Sequence, residues 1–144
     1  MDDCMSVIDA YVKGGCEGIE WTIPYSNAYI GQAYRFANEV NAYNNCPDME
    51  KHLELLAKTR KKYPTLGIFI SICKENMNAI GTKRMIHFCK ENQIDSIITI
   101  GEYEPEVLEE LRESGIKNIT EVSYYMTEAE LEGAKNATGY VIMQ

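Results

Sequence analysis

The stretch Glu20-Trp21-Thr22-Ile23-Pro24-Tyr25-Ser26-Asn27 sets a carboxylate in an apolar strand just before a proline-containing turn. Gly18-Ile19 precede it and a helical pattern follows from about Gly31, so Glu20 is expected near the C-terminal end of a buried parallel strand. Such strands normally read as unbroken apolar runs, because both of their faces are covered. A carboxylate inside one is either satisfied by a neighbouring lysine or backbone amide, or it works at a site. In α/β folds ligands bind at the C-terminal strand ends, which makes Glu20 the first candidate functional residue.

Outward from this strand, helical and strand patterns alternate. Met5, Ile8 and Val12 recur at helical spacing over residues 2–13, and Gly14-Gly15 close that helix. After the strand at about 18–23, a helix is expected over about 31–43, with Tyr34, Phe36 and Val40 on its apolar face. Asp48 is a candidate N-cap for a helix over 49–62, whose stripe of Met49, Leu53, Leu56 and Ala57 faces a core. A strand at 66–72, a loop through 73–80 and a helix at 82–92 follow, and then a strand at 96–100. Pro105 opens a helix that ends at Gly115. A weaker strand at 119–122 precedes the capping box Thr127-Glu128-Ala129-Glu130, and Gly139–Met143 reads as the last strand.

Alternation of this kind with short connections means a parallel α/β sheet with right-handed crossovers. About five strands suit either a small doubly wound sheet or five-eighths of a (β/α)8 TIM barrel, whose full form needs roughly 200–250 residues. Residues 1–144 are expected to form one domain, since the length is ordinary for one and short for two.

The composition narrows the function classes. A formal net charge of −8 argues against nucleic acid and anionic membrane surfaces as partners. The basic run Lys58-Thr59-Arg60-Lys61-Lys62 falls in the last turns of a helix, where it complements the helix dipole. No apolar run approaches the ~18 residues of a membrane span. The start, Met1-Asp2-Asp3-Cys4-Met5-Ser6, lacks the basic character of a signal peptide, so the cytoplasm is the expected compartment. Five cysteines without paired spacing read as reduced thiols, and two isolated histidines do not suggest zinc. Glu20, Glu75 and Glu102 are all expected at or just after strand C-termini. They would have to converge to hold Mg²⁺ or Mn²⁺, and the simpler reading leaves Glu75 and Glu102 as loop carboxylates in water. No metal and no cofactor is expected. Tyr25 and Tyr140 are the tyrosines expected to face a pocket, because both neighbour strand ends.

Gly18-Ile19-Glu20 followed by Pro24-Tyr25-Ser26-Asn27 resembles the second strand of the tryptophan synthase alpha chain family, which carries Glu-Leu-Gly-x-Pro-Phe-Ser-Asp-Pro there. Ile8–Gly15 looks like the family's first helix and its closing glycine, and Leu66-Gly67-Ile68-Phe69-Ile70 resembles the third strand. Gln93–Ile100 is similar to the family's Gly-Val-Asp-Ser-Val-Leu-Val, and Gly139-Tyr140 to its sixth strand. By this alignment the chain runs from helix one to strand six, with strands one, seven and eight outside it.

The resemblance implies a TIM-barrel lyase that splits indole-3-glycerol phosphate into indole and glyceraldehyde-3-phosphate by a retro-aldol reaction. It implies Glu20 as the general acid/base, with Tyr25, Ser26 and Tyr140 against the phosphorylated indole substrate. A wall of Trp21, Ile23 and Tyr140 would raise the pKa of Glu20 towards operating pH. It further implies a β-type subunit as partner. The alternative is a catalytically weak or inactive relative acting as a ligand-binding or self-associating half-barrel, since an unclosed barrel leaves strand edges open. The chain departs from the pattern at three places. Asn27–Gln32 lacks the family's indole-anchoring Asp, Cys73-Lys74-Glu75 replaces Tyr-x-Asn, and Gly101-Glu102-Tyr103 replaces Asp-x-Pro.

Overall fold

The computed structural model describes residues 2–26, 33–124 and 126–143, without the side chains of residues 2 and 33–36. Residues 27–32 and the side chains of Tyr34 and Phe36 lie outside what is described, so the expectations placed on them are not followed further.

The helices form where local chemistry places them. α1 spans Asp2–Lys13. α2 covers Ala33–Asn45, and α3 covers Met49–Lys62, where the Asp48 side chain accepts from the Glu50 N–H. α4 (Lys74–Ile80) and α5 (Thr82–Glu91) are consecutive. α6 (Pro105–Ser114) ends at Gly115, whose φ of 81° is a left-handed cap that glycine adopts without strain. α7 (Glu128–Lys135) carries the complete capping box between Thr127 and Glu130. α4 corrects the expected loop over 73–80. Its two asparagines read as loop, but Met77 (0% exposed) and Ile80 (7%) pack into the core and hold the turn helical.

The strands are β1 (Gly18–Thr22), β2 (Gly67–Cys73), β3 (Ser96–Ile100), β4 (Lys117–Val122) and β5 (Val141–Met143). Their order in the sheet is β1-β2-β3-β4-β5, and every neighbouring pair is parallel. This order decides between the two architectures. A doubly wound sheet reverses its strand order partway and puts helices on both faces. An unbroken sequential order with crossovers of one hand keeps all helices on one face, which is the arrangement of a (β/α)8 barrel. The fold is a five-stranded portion of that barrel.

The core lies between the sheet and the helices. Ile68, Ile70, Ile72 and Ile97 meet Leu53 and Leu56 of α3, Met77 of α4, Met85 and Cys89 of α5 and Leu111 of α6. The opposite, concave face also buries Ile98 and Ile119, each 3% exposed, yet neither belongs to the helix-side cluster. Arg60, in the basic last turn of α3, also makes specific bonds beyond the helix. Its guanidinium donates to the carbonyls of Asn92 (2.8 Å), Pro64 (2.7 Å) and Leu66 (2.8 Å), tying α3 to the turn before β2 and to the end of α5. Among the described residues no helix is long and apolar enough to cross a membrane.

Candidate functional site

Strand alternation sorts the sheet residues. Successive side chains point to opposite faces, and paired residues on parallel neighbours share a face. Trp21 pairs with Ile70, and Ile70 with Ile97, which puts Trp21 on the helix side. Glu20 pairs with Phe69, Phe69 with Ser96, and Ser96 with Lys117, all on the concave side. The next row towards the C-terminal ends is Thr22, Ser71, Ile98 and Ile119. Cys73 and Ile100 close the rim.

Glu20 is the third of five residues in β1 and is exposed on this concave face, with no hydrogen bond or ion pair among the described residues. It is therefore less buried than the sequence suggested. The expected apolar wall does not enclose it. Trp21 packs against the helix-side core and Ile23 (0% exposed) lies inside it. Tyr140 stands at the opposite edge of the sheet, 73% exposed, with its carbonyl accepting from the Thr120 N–H at 3.2 Å. Continued alternation gives Tyr140 the same face as Ile119, so Glu20 and Tyr140 flank the concave surface from its two edges without touching.

Tyr25 and Ser26 reach the rim together. Tyr25 is 6% exposed and packs on Cys73, with Ile100 against both, while Ser26 is exposed. The turn that carries them is clamped by a residue that sequence reasoning left in a loop. Asn76 of α4, 8% exposed, donates through Nδ2 to the carbonyl oxygens of Ile23 (3.2 Å) and Pro24 (3.1 Å). Two carbonyls on one nitrogen settle which end of the amide faces them. Across the rim, the Tyr103 hydroxyl donates to the Ile72 carbonyl at 2.8 Å. A period of two through β4 would also have shown Glu121, half-buried and paired with Ile142, as a second carboxylate in phase with Ile119.

The rim is acidic. Lys74 pairs with Glu104 at 2.7 Å. The Glu104 hydrogen bond raises the Lys74 pKa, and the charges of Glu102 and Glu75 push in the same direction. Glu104 is held below the usual carboxylate range by the same lysine. Burial pushes the Cys73 thiol up to about 11, so it is not a ready nucleophile. Glu20, Glu75 and Glu102 do not converge on a common point, and the described residues contain no group of three or more side chains placed to hold a metal ion. A separate groove of about 570 Å³, lined by Val122, Leu131 and Val141 together with the charged Glu128, Glu132 and Lys135, lies between α7 and the β4–β5 edge and includes none of the expected site residues.

Comparison with known proteins gives this geometry a family. The family model for the tryptophan synthase alpha chain matches residues 1–144. The tryptophan synthase alpha chain of Proteus mirabilis (strain HI4320) is 27% identical over 145 residues, covering 96% of this chain and 53% of that one. The corresponding chain of Haemophilus influenzae is 25% identical over 151 residues, covering 99% and 54%. Among solved structures, tryptophan synthase subunit alpha of Legionella pneumophila superimposes with a TM-score of 0.81 at 16% identity, covering 96% of this chain and 55% of that one. A structure of the tryptophan synthase α2β2 complex of Pyrococcus furiosus gives 0.78 at 18%, covering 96% and 62%. These structural likenesses show the shared barrel fold. This chain spans about half the length of the curated relatives it matches. With the model matched from end to end and the sequential parallel sheet in place, the chain belongs to the tryptophan synthase alpha chain family.

Proposed function

We propose that residues 1–144 act as one unit with lyase chemistry of the alpha-chain type, cleaving indole-3-glycerol phosphate to indole and glyceraldehyde-3-phosphate. The observation that carries this reading is the placement of Glu20. It is a carboxylate on the concave face of a barrel sheet, two residues inside the end of β1, with no partner among the described residues. A retro-aldol cleavage needs a proton delivered to indole C3 and a proton removed from the glycerol hydroxyl as the carbon–carbon bond breaks. An unpaired carboxylate that faces a ligand can carry protons in such a step. In the turn that Asn76 clamps, Tyr25 packs on Cys73 at the rim and Ser26 is exposed beside it, while Tyr140 borders the far edge. A β-type subunit is the partner this reading calls for.

The test is indole release from indole-3-glycerol phosphate by folded protein, alone and with a β-type subunit, beside Glu20→Gln. Indole that forms and is abolished by the substitution supports the assignment. Folded protein that releases none in either setting sinks it.

A second reading, a weakly active relative that associates with its own copies, draws on the apolar residues exposed around β5. Tyr140 is 73% exposed, Val141 47% and Met143 86%. Sedimentation across a hundredfold range of concentration separates it from a monomeric enzyme, because self-association raises the mass with concentration.

A further inference from the structure

Two buried polar atoms on facing elements lack hydrogen-bond partners among the described residues, and their chemistry is complementary. They are Nε1 of Trp21 on β1 and Nδ1 of His52 on α3. The two rings meet with centroids 6.0 Å apart and an interplanar angle of 55°. His52 is only 6% exposed. Its Nε2 lies 3.0 Å from the Cys46 carbonyl oxygen. A carbonyl can only accept, so in the neutral ring Nε2 carries the proton and Nδ1 keeps a lone pair. The indole nitrogen can only donate. Each of these two neighbouring rings therefore buries one unpaired polar atom, a donor on Trp21 and an acceptor on His52, and leaving such groups unpaired is costly.

We propose that Trp21 and His52 form a site for one buried water, which accepts the indole N–H and donates to His52 Nδ1. Water supplies both functions in one small molecule, and buried waters characteristically satisfy polar groups that the chain leaves unpaired. The chemistry demands a small neutral ligand that is both donor and acceptor. The site has a structural consequence for the strand that carries Glu20. Among the described strands β1 is hydrogen-bonded only to β2, so a polar tie from Trp21 to α3 gives it a second restraint next to Glu20.

The chain has a single tryptophan and two histidines, which makes the test direct. The full chain, labelled with nitrogen-15, is measured by NMR, and His87→Gln leaves His52 as the one histidine to assign. The expected result has three parts: His52 protonated on Nε2 with Nδ1 bare, an indole N–H that exchanges at least about tenfold more slowly than an exposed indole, and a direct cross-peak between that N–H and water. Protonation on Nδ1 of the neutral ring, or an indole that exchanges as fast as an exposed one, overturns the site. The expected tautomer with a protected indole but no water cross-peak overturns the water and leaves a direct Trp21–His52 contact. None of these readouts depends on catalysis, so the proposal stands or falls separately from the lyase assignment.

Discussion

The two faces of the sheet are built from the same five strands and differ in almost everything else. On the helix side, Ile68, Ile70, Ile72 and Ile97 are between 0% and 3% exposed and form one continuous apolar layer with α3, α4, α5 and α6. On the concave side, Glu20, Thr22, Ser71 and Ser96 interrupt the apolar residues, and Glu20 remains exposed. The first face accounts for the stability of the fold, because burial there removes large apolar area from water. The second contributes less to stability and carries the groups able to do chemistry. A barrel sheet can divide its labour this way because alternation lets neighbouring residues of one strand serve different faces.

The largest effect should come from the helix side. Ile70→Ala, at a residue with 0% exposure, is expected to cost about 2–5 kcal/mol in urea unfolding, as a lost transfer term plus a cavity. A loss under about 1 kcal/mol would break the contrast, since the helix layer would then not be what holds the sheet. At the rim, Asn76→Ala removes the donor to two buried carbonyls, for about 1–3 kcal/mol. Faster amide exchange at Tyr25 and Ser26 is expected with it, and unchanged exchange there would show that Asn76 does not clamp the turn.

The thiols sharpen the comparison through pH. Burial pushes Cys89, in the helix-side core, up to about 12, and Cys73, on the concave rim, up to about 11. Both folded-state values lie above the ordinary thiol value of 9.0, so the unfolded chain ionises first. Their contribution to stability is complete below pH 9 and is lost as pH rises towards the folded values. Alkaline titration of the unfolding midpoint should show that decline, with Cys73→Ala removing the part that ends near 11 and Cys89→Ala the part that extends to about 12. A midpoint flat from pH 8 to 11 would contradict it. The smallest effect is expected at Glu20→Gln, which should leave the unfolding midpoint essentially where it was, and on the proposed lyase reading should abolish indole formation. A large loss of stability there would make Glu20 a structural residue.

Helix ends were readable from residues alone because capping is local. Asp48, Thr127 with Glu130, and Gly115 each act within a few residues of their own position. α4 was missed because Lys74-Glu75-Asn76-Met77-Asn78 is locally loop-like, and only packing of Met77 and Ile80 resolves it as helix. The motif around Gly139 has a tertiary reason. A Cβ on that glycine would meet the Asn118 carbonyl oxygen at 2.9 Å, and its N–H donates to that same oxygen at 2.8 Å. β5 accordingly starts at Val141, two residues later than the sequence pattern suggested.

From the residues themselves came the alternation of helices and strands, the family resemblance and the choice of Glu20, since hydrophobic period, caps and a misplaced charge are properties of short segments. Strand order, the face on which Glu20 sits, the loss of its expected apolar wall and the Asn76 clamp required the folded chain. Each depends on residues far apart in sequence meeting across the sheet, as Asn76 does with Ile23, and no local pattern specifies such a meeting.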